Sequence, residues 1–116
     1  RLGFAFDNCA AAAEAFRRYP DTTAIFAAND QTAFGARLYL YEQGLRVPED
    51  VSLVGFDDIA LSAYQIPPLT TVRQPIQDIG IALGRALRAV LAGEVPTLPR
   101  LELRLVERAS VREVRA

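Results

Sequence analysis

Residues 51–58, Val-Ser-Leu-Val-Gly-Phe-Asp-Asp, form an apolar run that stops at two adjacent carboxylates. No other stretch restricts the possible folds as much. Bounded by Pro48-Glu49-Asp50 on one side and acids on the other, it reads as a β-strand buried on both faces, the kind found in parallel sheets. In open parallel sheets ligands bind beyond the carboxyl ends of the strands, where loops present polar groups while the strands stay packed. Residues 24–28, Ala-Ile-Phe-Ala-Ala, followed by Asn29-Asp30, repeat the device. If the two strands lie side by side and parallel, their short oxygen-bearing side chains make one polar rim.

The rest of the chain supplies helices between such strands. Leu2 to Phe6 is strand-like, and Asp7 or Asn8 is placed to cap a helix from Ala10 to about Arg18 that Pro20 ends. A second helix runs from about Gln31 to Gln43, with Gly44 as its left-handed terminator. It is apolar on more than one side: Phe34, Leu38, Tyr41 and Leu45 follow one stripe, and Ala33, Ala36 and Leu40 another. A helix that only covers a sheet needs one such face, so the surplus is expected to meet a neighbouring helix or a second subunit. Ile59 to Tyr64 allows one helical turn before Pro67-Pro68, and Thr70 to Gln74 is β-branched enough for a strand. After Pro75, apolar residues recur at helical intervals from Ile76 to Leu91, up to Gly93. Beyond Pro96 and Pro99, the alternation of Leu101, Leu103 and Leu105 with Glu102 and Arg104 predicts a half-exposed terminal strand.

With 116 residues, 51% of them hydrophobic, the chain suffices for one α/β domain or part of one. Its net charge of −1, with arginines scattered along it, gives no basic footprint for nucleic acid. A single cysteine, Cys9, excludes an internal disulfide and fits a reducing compartment, and no stretch approaches the length of a membrane span. The chain has no histidine and no lysine, so it lacks an imidazole base, a Schiff-base amine and a P-loop lysine. Asp57 and Asp58 are adjacent, whereas phosphatase-type aspartates stand two apart, and a lone acid pair is poor evidence for a metal. An enzyme is therefore not expected, nor a metal or other cofactor. Cys9 reads as a small core residue, and Gly80 and Gly84 as positions that admit close packing.

Among the polar residues, Asp30, directly before the second helix, is expected to cap it, leaving Asn29 to face the crevice with an amide that both donates and accepts. One of Asp57 and Asp58 is expected to be a turn or cap residue. The other, Asp57 because it ends the strand directly, is expected to accept hydrogen bonds from vicinal hydroxyls or an N–H donor.

Four segments in this order and spacing carry a resemblance: residues 24–30 (Ala-Ile-Phe-Ala-Ala-Asn-Asp), 33–36 (Ala-Phe-Gly-Ala), 44–58 (Gly-Leu-Arg-Val-Pro-Glu-Asp-Val-Ser-Leu-Val-Gly-Phe-Asp-Asp) and 67–75 (Pro-Pro-Leu-Thr-Thr-Val-Arg-Gln-Pro). From Thr22 to Ser110 the chain resembles the effector-binding domain of the LacI/GalR family of bacterial transcription regulators. That resemblance implies a type I periplasmic-binding-protein-like fold, with two lobes of parallel, doubly wound sheet, an effector in the cleft between them and a homodimer. It implies that residues 1–74 belong to the carboxyl-terminal lobe, that the helix in 75–93 packs on the other lobe, and that 100–116 return as the terminal strand. DNA would be read only through an amino-terminal helix-turn-helix that this chain lacks, in the cytoplasm and away from any membrane. Carried over residue by residue, Asn29, Asp57 and Gln74 become polar contacts to a small-molecule effector, by default a sugar, with Ile76 and Ile79 as an apolar wall. Phe34, Leu38 and Tyr64 become dimer-interface residues. A periplasmic sugar-binding protein of a transport system shares the fold and is the alternative.

Overall fold

The computed structural model describes residues 8–114; the strand expected at Leu2–Phe6 and the cap expected at Asp7 lie outside them. Helix α1, Asn8–Arg18, is a run of good helix formers whose last-turn Arg17 and Arg18 both hydrogen-bond Glu14, a cation-rich end that suits the helix dipole. Strand β1, Ala24–Phe26, leads into helix α2, Asp30–Glu42, and then into strand β2, Ser52–Asp57. Gly44, at φ +72°, ends α2 in the left-handed region, and the chain closes there with Leu45 N–H on the Leu40 carbonyl at 2.9 Å. A 3-10 helix, Ala60–Tyr64, precedes strand β3, Thr70–Arg73; helix α3, Ile76–Leu91, and strand β4, Arg104–Val106, complete the order.

The four strands lie in sequence order in one sheet. β1 and β2 are parallel, with Ile25 opposite Leu53, and β2 and β3 are parallel, with Gly55 opposite Thr71. β4 runs antiparallel to β3, so the sheet is mixed, and it is shorter than the alternation from Leu101 predicts because only residues 104–106 reach β3. The segment after β4 then returns beside β2: Ser110 gives its hydroxyl to the Leu53 carbonyl, and the Leu53 N–H donates to the Ser110 carbonyl.

Both α1 and α2 cover the same face of this sheet. Ala12, Ala33 and Ala36 pack with Ala27, Leu53 and Leu69 in a core whose small helical residues bring α2 close to the strands. The expected burial of β2 on both faces is therefore corrected: Leu53 and Gly55 are buried, but Val54 and Phe56 on the other face are half-covered and Phe26 beside them is 68% exposed. Of the two apolar stripes on α2, the one with Ala33, Ala36 and Leu40 is the core stripe, and Leu38 and Tyr41 on the other face solvent. Cys9, expected in the core, is half-buried at the α1–α2 junction with its Sγ 3.9 Å from Glu42 Oε2.

Helix α3 stands away from this body. It buries only Ala82, and Ile76, Leu83, Leu87 and Leu91 are exposed. A compact chain of this length would have a radius of gyration of roughly 13 Å; here it is 18.0 Å, with extents of 57 × 38 × 26 Å. Gly80 and Gly84 do not serve close packing among the described residues, since a Cβ at either would meet nothing within 4 Å. No helix of the described residues is long and apolar enough to cross a membrane.

Candidate functional site

Because β1, β2 and β3 are parallel neighbours, the segments after them emerge at one edge of the sheet. Asn29 follows β1, Asp57 ends β2 and Gln74 follows β3, so three of the expected contacts share that edge. None is sealed: all three are half-buried. Asp57 and Gln74 are joined directly, with Gln74 Nε2 donating to Asp57 Oδ1 at 2.6 Å. Ile76 and Ile79 occupy the first turn of α3 just beyond Gln74, Ile76 exposed at 62% and Ile79 half-buried.

The backbone at the end of β2 is unusual. Asp57 has φ +109° and Asp58 φ +55°, a region that residues other than glycine seldom occupy and that costs on the order of 1–3 kcal/mol for each. That turn sends the two carboxylates to different surroundings. Asp58 is withdrawn, its side chain 4% exposed, and accepts from Arg73 Nε and, at 2.6 Å, from Arg108 Nη2. Arg108 also donates to the Leu69 carbonyl at 2.7 Å, so Asp58 anchors the chain end to the sheet. Among the described residues Asp57 accepts a side-chain hydrogen bond from Gln74 alone, at Oδ1.

Burial alone would push the Asp58 carboxyl up, but the hydrogen bonds from Arg108 and Arg73 outweigh it and hold Asp58 below its ordinary value of 3.8. A carboxyl lowered by folding contributes stability that is fully present above its unfolded value and is lost as pH falls through the folded one. Unfolding free energy measured from pH 7 downward is expected to decline below about pH 5, and Asp58→Asn is expected to flatten that decline. An acid slope that Asp58→Asn leaves unchanged would separate these ion pairs from acid stability.

The capping role expected of Asp30 falls to Asn29, and Asp30 is turned into the core; this is a correction. Asn29 is the N-cap of α2, at φ −156° and ψ 170°, with Oδ1 accepting from Thr32 N–H at 2.8 Å. Asp30 lies inside the first turn, 1% exposed, and accepts from Ile59 N–H at 2.9 Å, from the Ser62 hydroxyl at 2.6 Å and from the Thr71 hydroxyl. Its room comes from Gly55: a Cβ there would stand 2.2 Å from Asp30 Oδ1. A glycine inside an otherwise apolar strand is the sequence signal for such an approach.

The larger concavities lie elsewhere. One of about 440 Å³ lies between α3 and the following loop, lined by Ile81, Arg85, Thr97 and Leu101; another of about 400 Å³ is lined by Arg73, Asp78, Arg100 and Arg104. Neither includes Asn29, Asp57 or Gln74, which form an open edge, the shape of one wall of a cleft. Phe34 and Leu38, with Tyr41 and Ile66, line a shallow groove on the outer face of α2, and Tyr64 is 81% exposed at the end of the 3-10 helix.

A family model described as the periplasmic binding protein-like domain matches residues 3–111. The HTH-type transcriptional regulator CelR of Thermobifida fusca is 40% identical over 101 residues, which are 86% of this chain and 30% of that protein. The probable HTH-type transcriptional repressor ExuR of Bacillus subtilis is 41% identical over 70 residues, 60% of this chain and 21% of that one, so the chain spans well under half the length of these relatives. Among solved structures, a complex of the regulator CelR with cellobiose superposes with a TM-score of 0.82 at 40% identity, covering 92% of this chain and 34% of that one. A lac repressor dimer bound to operator and the anti-inducer ONPF superposes with a TM-score of 0.81 at 33% identity, covering 92% and 38%. The family match over most of the chain and the likeness in sequence and fold to these regulators show that the chain belongs to the periplasmic binding protein-like domain family, in the form found in LacI-family transcriptional regulators.

Proposed function

We propose that this chain forms one side of the effector cleft in the small-molecule sensor of a bacterial, DNA-binding transcriptional regulator. The observation that carries the reading is the convergence of Asn29, Asp57 and Gln74 at the carboxyl edge of three parallel strands, with Asp57 held in a strained backbone and hydrogen-bonded to Gln74. Strain of that kind persists where the surroundings over-determine it, and it gathers at ligand sites. The effector is a sugar: a carboxylate and two amides suit vicinal hydroxyls, and the CelR relative is known in complex with cellobiose. Asn29 contributes its amide N–H groups while its Oδ1 caps α2, and Ile76 and Ile79 supply an apolar wall. The second wall belongs to another lobe, against which the exposed apolar side of α3 rests. Effector binding favours one arrangement of the lobes by its difference in affinity for the two, and the protein works in the cytoplasm without a cofactor, reading its operator through a helix-turn-helix outside this chain. Relatives named as transcriptional regulators support this over a transport protein.

Calorimetric titration of the full-length protein with cellobiose and lactose, followed by operator binding with and without the sugar that binds, tests the reading. Binding that shifts operator affinity is expected; sugar binding with no effect on any DNA would favour transport.

The outer face of α2, with Phe34, Leu38 and Tyr64, is the homodimer interface in this reading. A monomer seldom leaves a helix stripe such as Leu38, 52% exposed, and Tyr41, 80% exposed, beside an Ile66 that is 88% exposed. Leu38→Asp is expected to weaken the dimer by about ten- to a hundred-fold, read by sedimentation equilibrium. Dimerisation at unchanged concentration would move the interface off α2.

A further inference from the structure

Asp30 is a buried carboxylate that the proposed site does not use. Among the described residues it has no cationic partner, and its three donors come from three different segments: Ile59 from the loop after β2, Ser62 from the 3-10 helix and Thr71 from β3. Each donor is close in sequence to a feature already described. Asn29 immediately precedes Asp30, Ile59 follows Asp57 by two residues, Thr71 precedes Gln74 by three, and Ser62 precedes Tyr64 by two. Gly55 leaves the space that lets this carboxylate lie against β2.

Burying a carboxylate is costly, and neutral hydrogen bonds offset that cost without exceeding what a well-packed apolar side chain of similar volume would contribute. Stability alone is therefore a poor account of an acid here. Directional bonds to three segments accomplish something an apolar residue does not: they fix the distances among those segments, and a binding constellation needs its members held to within about 0.5 Å. We propose that Asp30 is the positioning residue of the polar edge, setting the spacing of Asn29, Asp57 and Gln74 and tying that edge through Ser62 to the 3-10 helix that ends at Tyr64. This inference rests on the sensor reading above.

The test separates the Thr71 hydroxyl from the Thr71 volume. Thr71→Val keeps the volume and removes the donor; Thr71→Ser keeps the donor and removes a methyl group. The full-length protein and both variants are titrated calorimetrically with cellobiose and lactose, at a temperature where circular dichroism shows each folded. For the probe that binds, Thr71→Val is expected to raise Kd by about ten-fold, the loss of one bond to a charged acceptor, with Thr71→Ser within about two-fold of the unsubstituted protein. If Thr71→Val does not fold, Ser62→Ala, which takes a different donor from the same carboxylate, is expected to raise Kd by about three-fold or more. Equal affinities in all variants, or Thr71→Ser binding more weakly than Thr71→Val, would show that Thr71 matters for packing alone and would overturn the inference. Failure of the unsubstituted protein to bind either sugar counts instead against the sensor reading itself, and the inference falls with it.

Discussion

Gly55→Ala is expected to be strongly destabilising, lowering the thermal midpoint by about 10 °C or more. The added Cβ would stand 2.2 Å from Asp30 Oδ1, 2.9 Å from Leu69 Cδ2 and 3.3 Å from Asp30 Cα. None of these atoms is free to retreat. Asp30 is held by three donors, and Leu69 is 1% exposed within the core. Overpacking of a filled core costs about 1–3 kcal/mol. If the carboxylate moves away instead, a buried donor such as the Thr71 hydroxyl loses its acceptor, adding about 1–3 kcal/mol. A total of about 2–6 kcal/mol is a large share of the stability of an ordinary domain, and at a few degrees per kcal/mol it gives the stated shift. Gly44→Ala is the natural control. Gly44 has φ +72° but a Cβ there would meet nothing within 4 Å, so only backbone strain of about 1 kcal/mol applies. Thermal unfolding of the two variants side by side reads the difference. A Gly55→Ala protein that melts no lower than Gly44→Ala would mean that the Asp30 carboxylate does not lie against β2.

The same carboxylate shows where the sequence could be read and where it could not. Periodicity placed β1, α2, β2, β3 and α3 within a few residues, because apolar spacing and the punctuation of Gly44, Pro67-Pro68 and Pro75 act locally. The edge formed by Asn29 and Asp57 followed from the same local facts, since parallel neighbours must present their carboxyl ends together, whereas Gln74 was expected there only from the family resemblance. The roles of Asn29 and Asp30 could not be told apart in that way. Both are short acceptors before a helix, and a shift of one residue in its start decides which caps it and which is turned into the core. Asp58 was equally opaque, because its partners Arg73 and Arg108 lie 15 and 50 residues away in sequence. The half-covered face of β2 was missed for a related reason. An apolar run states that a strand can be buried on both sides, not that both helices of its own segment settle on one of them. Gly55 was the legible clue, a residue without a side chain inside a strand that otherwise invites bulk.

Asp57→Ala in the full-length protein is expected to abolish the effect of the small-molecule effector on operator binding while leaving effector-free operator affinity within about three-fold. Among the described residues, Asp58 is taken up by Arg73 and Arg108, whereas Asp57 receives one bond, from Gln74. A carboxylate that accepts two bonds from a ligand contributes about 1.5–3 kcal/mol for each, so truncation should raise the effector Kd by at least about a hundred-fold. Since a ligand shifts a conformational equilibrium only by its differential affinity, losing that affinity removes the response together with the binding. Asp57→Asn refines the result. Asparagine tolerates a positive φ much as aspartate does, and it keeps the size while replacing one acceptor by a donor, so a deficit shared by both variants lies in the ligand contacts and not in the backbone at φ +109°. Asp58→Asn should do the opposite, lowering stability while sparing the response, because Asp58 joins the loop to the sheet through Arg73 and Arg108. Calorimetry for Kd and fluorescence anisotropy on operator DNA measure the two quantities separately. A normal effector response in Asp57→Ala would remove this carboxylate from the site, and a lost response in Asp58→Asn at full stability would put the other one there in its place.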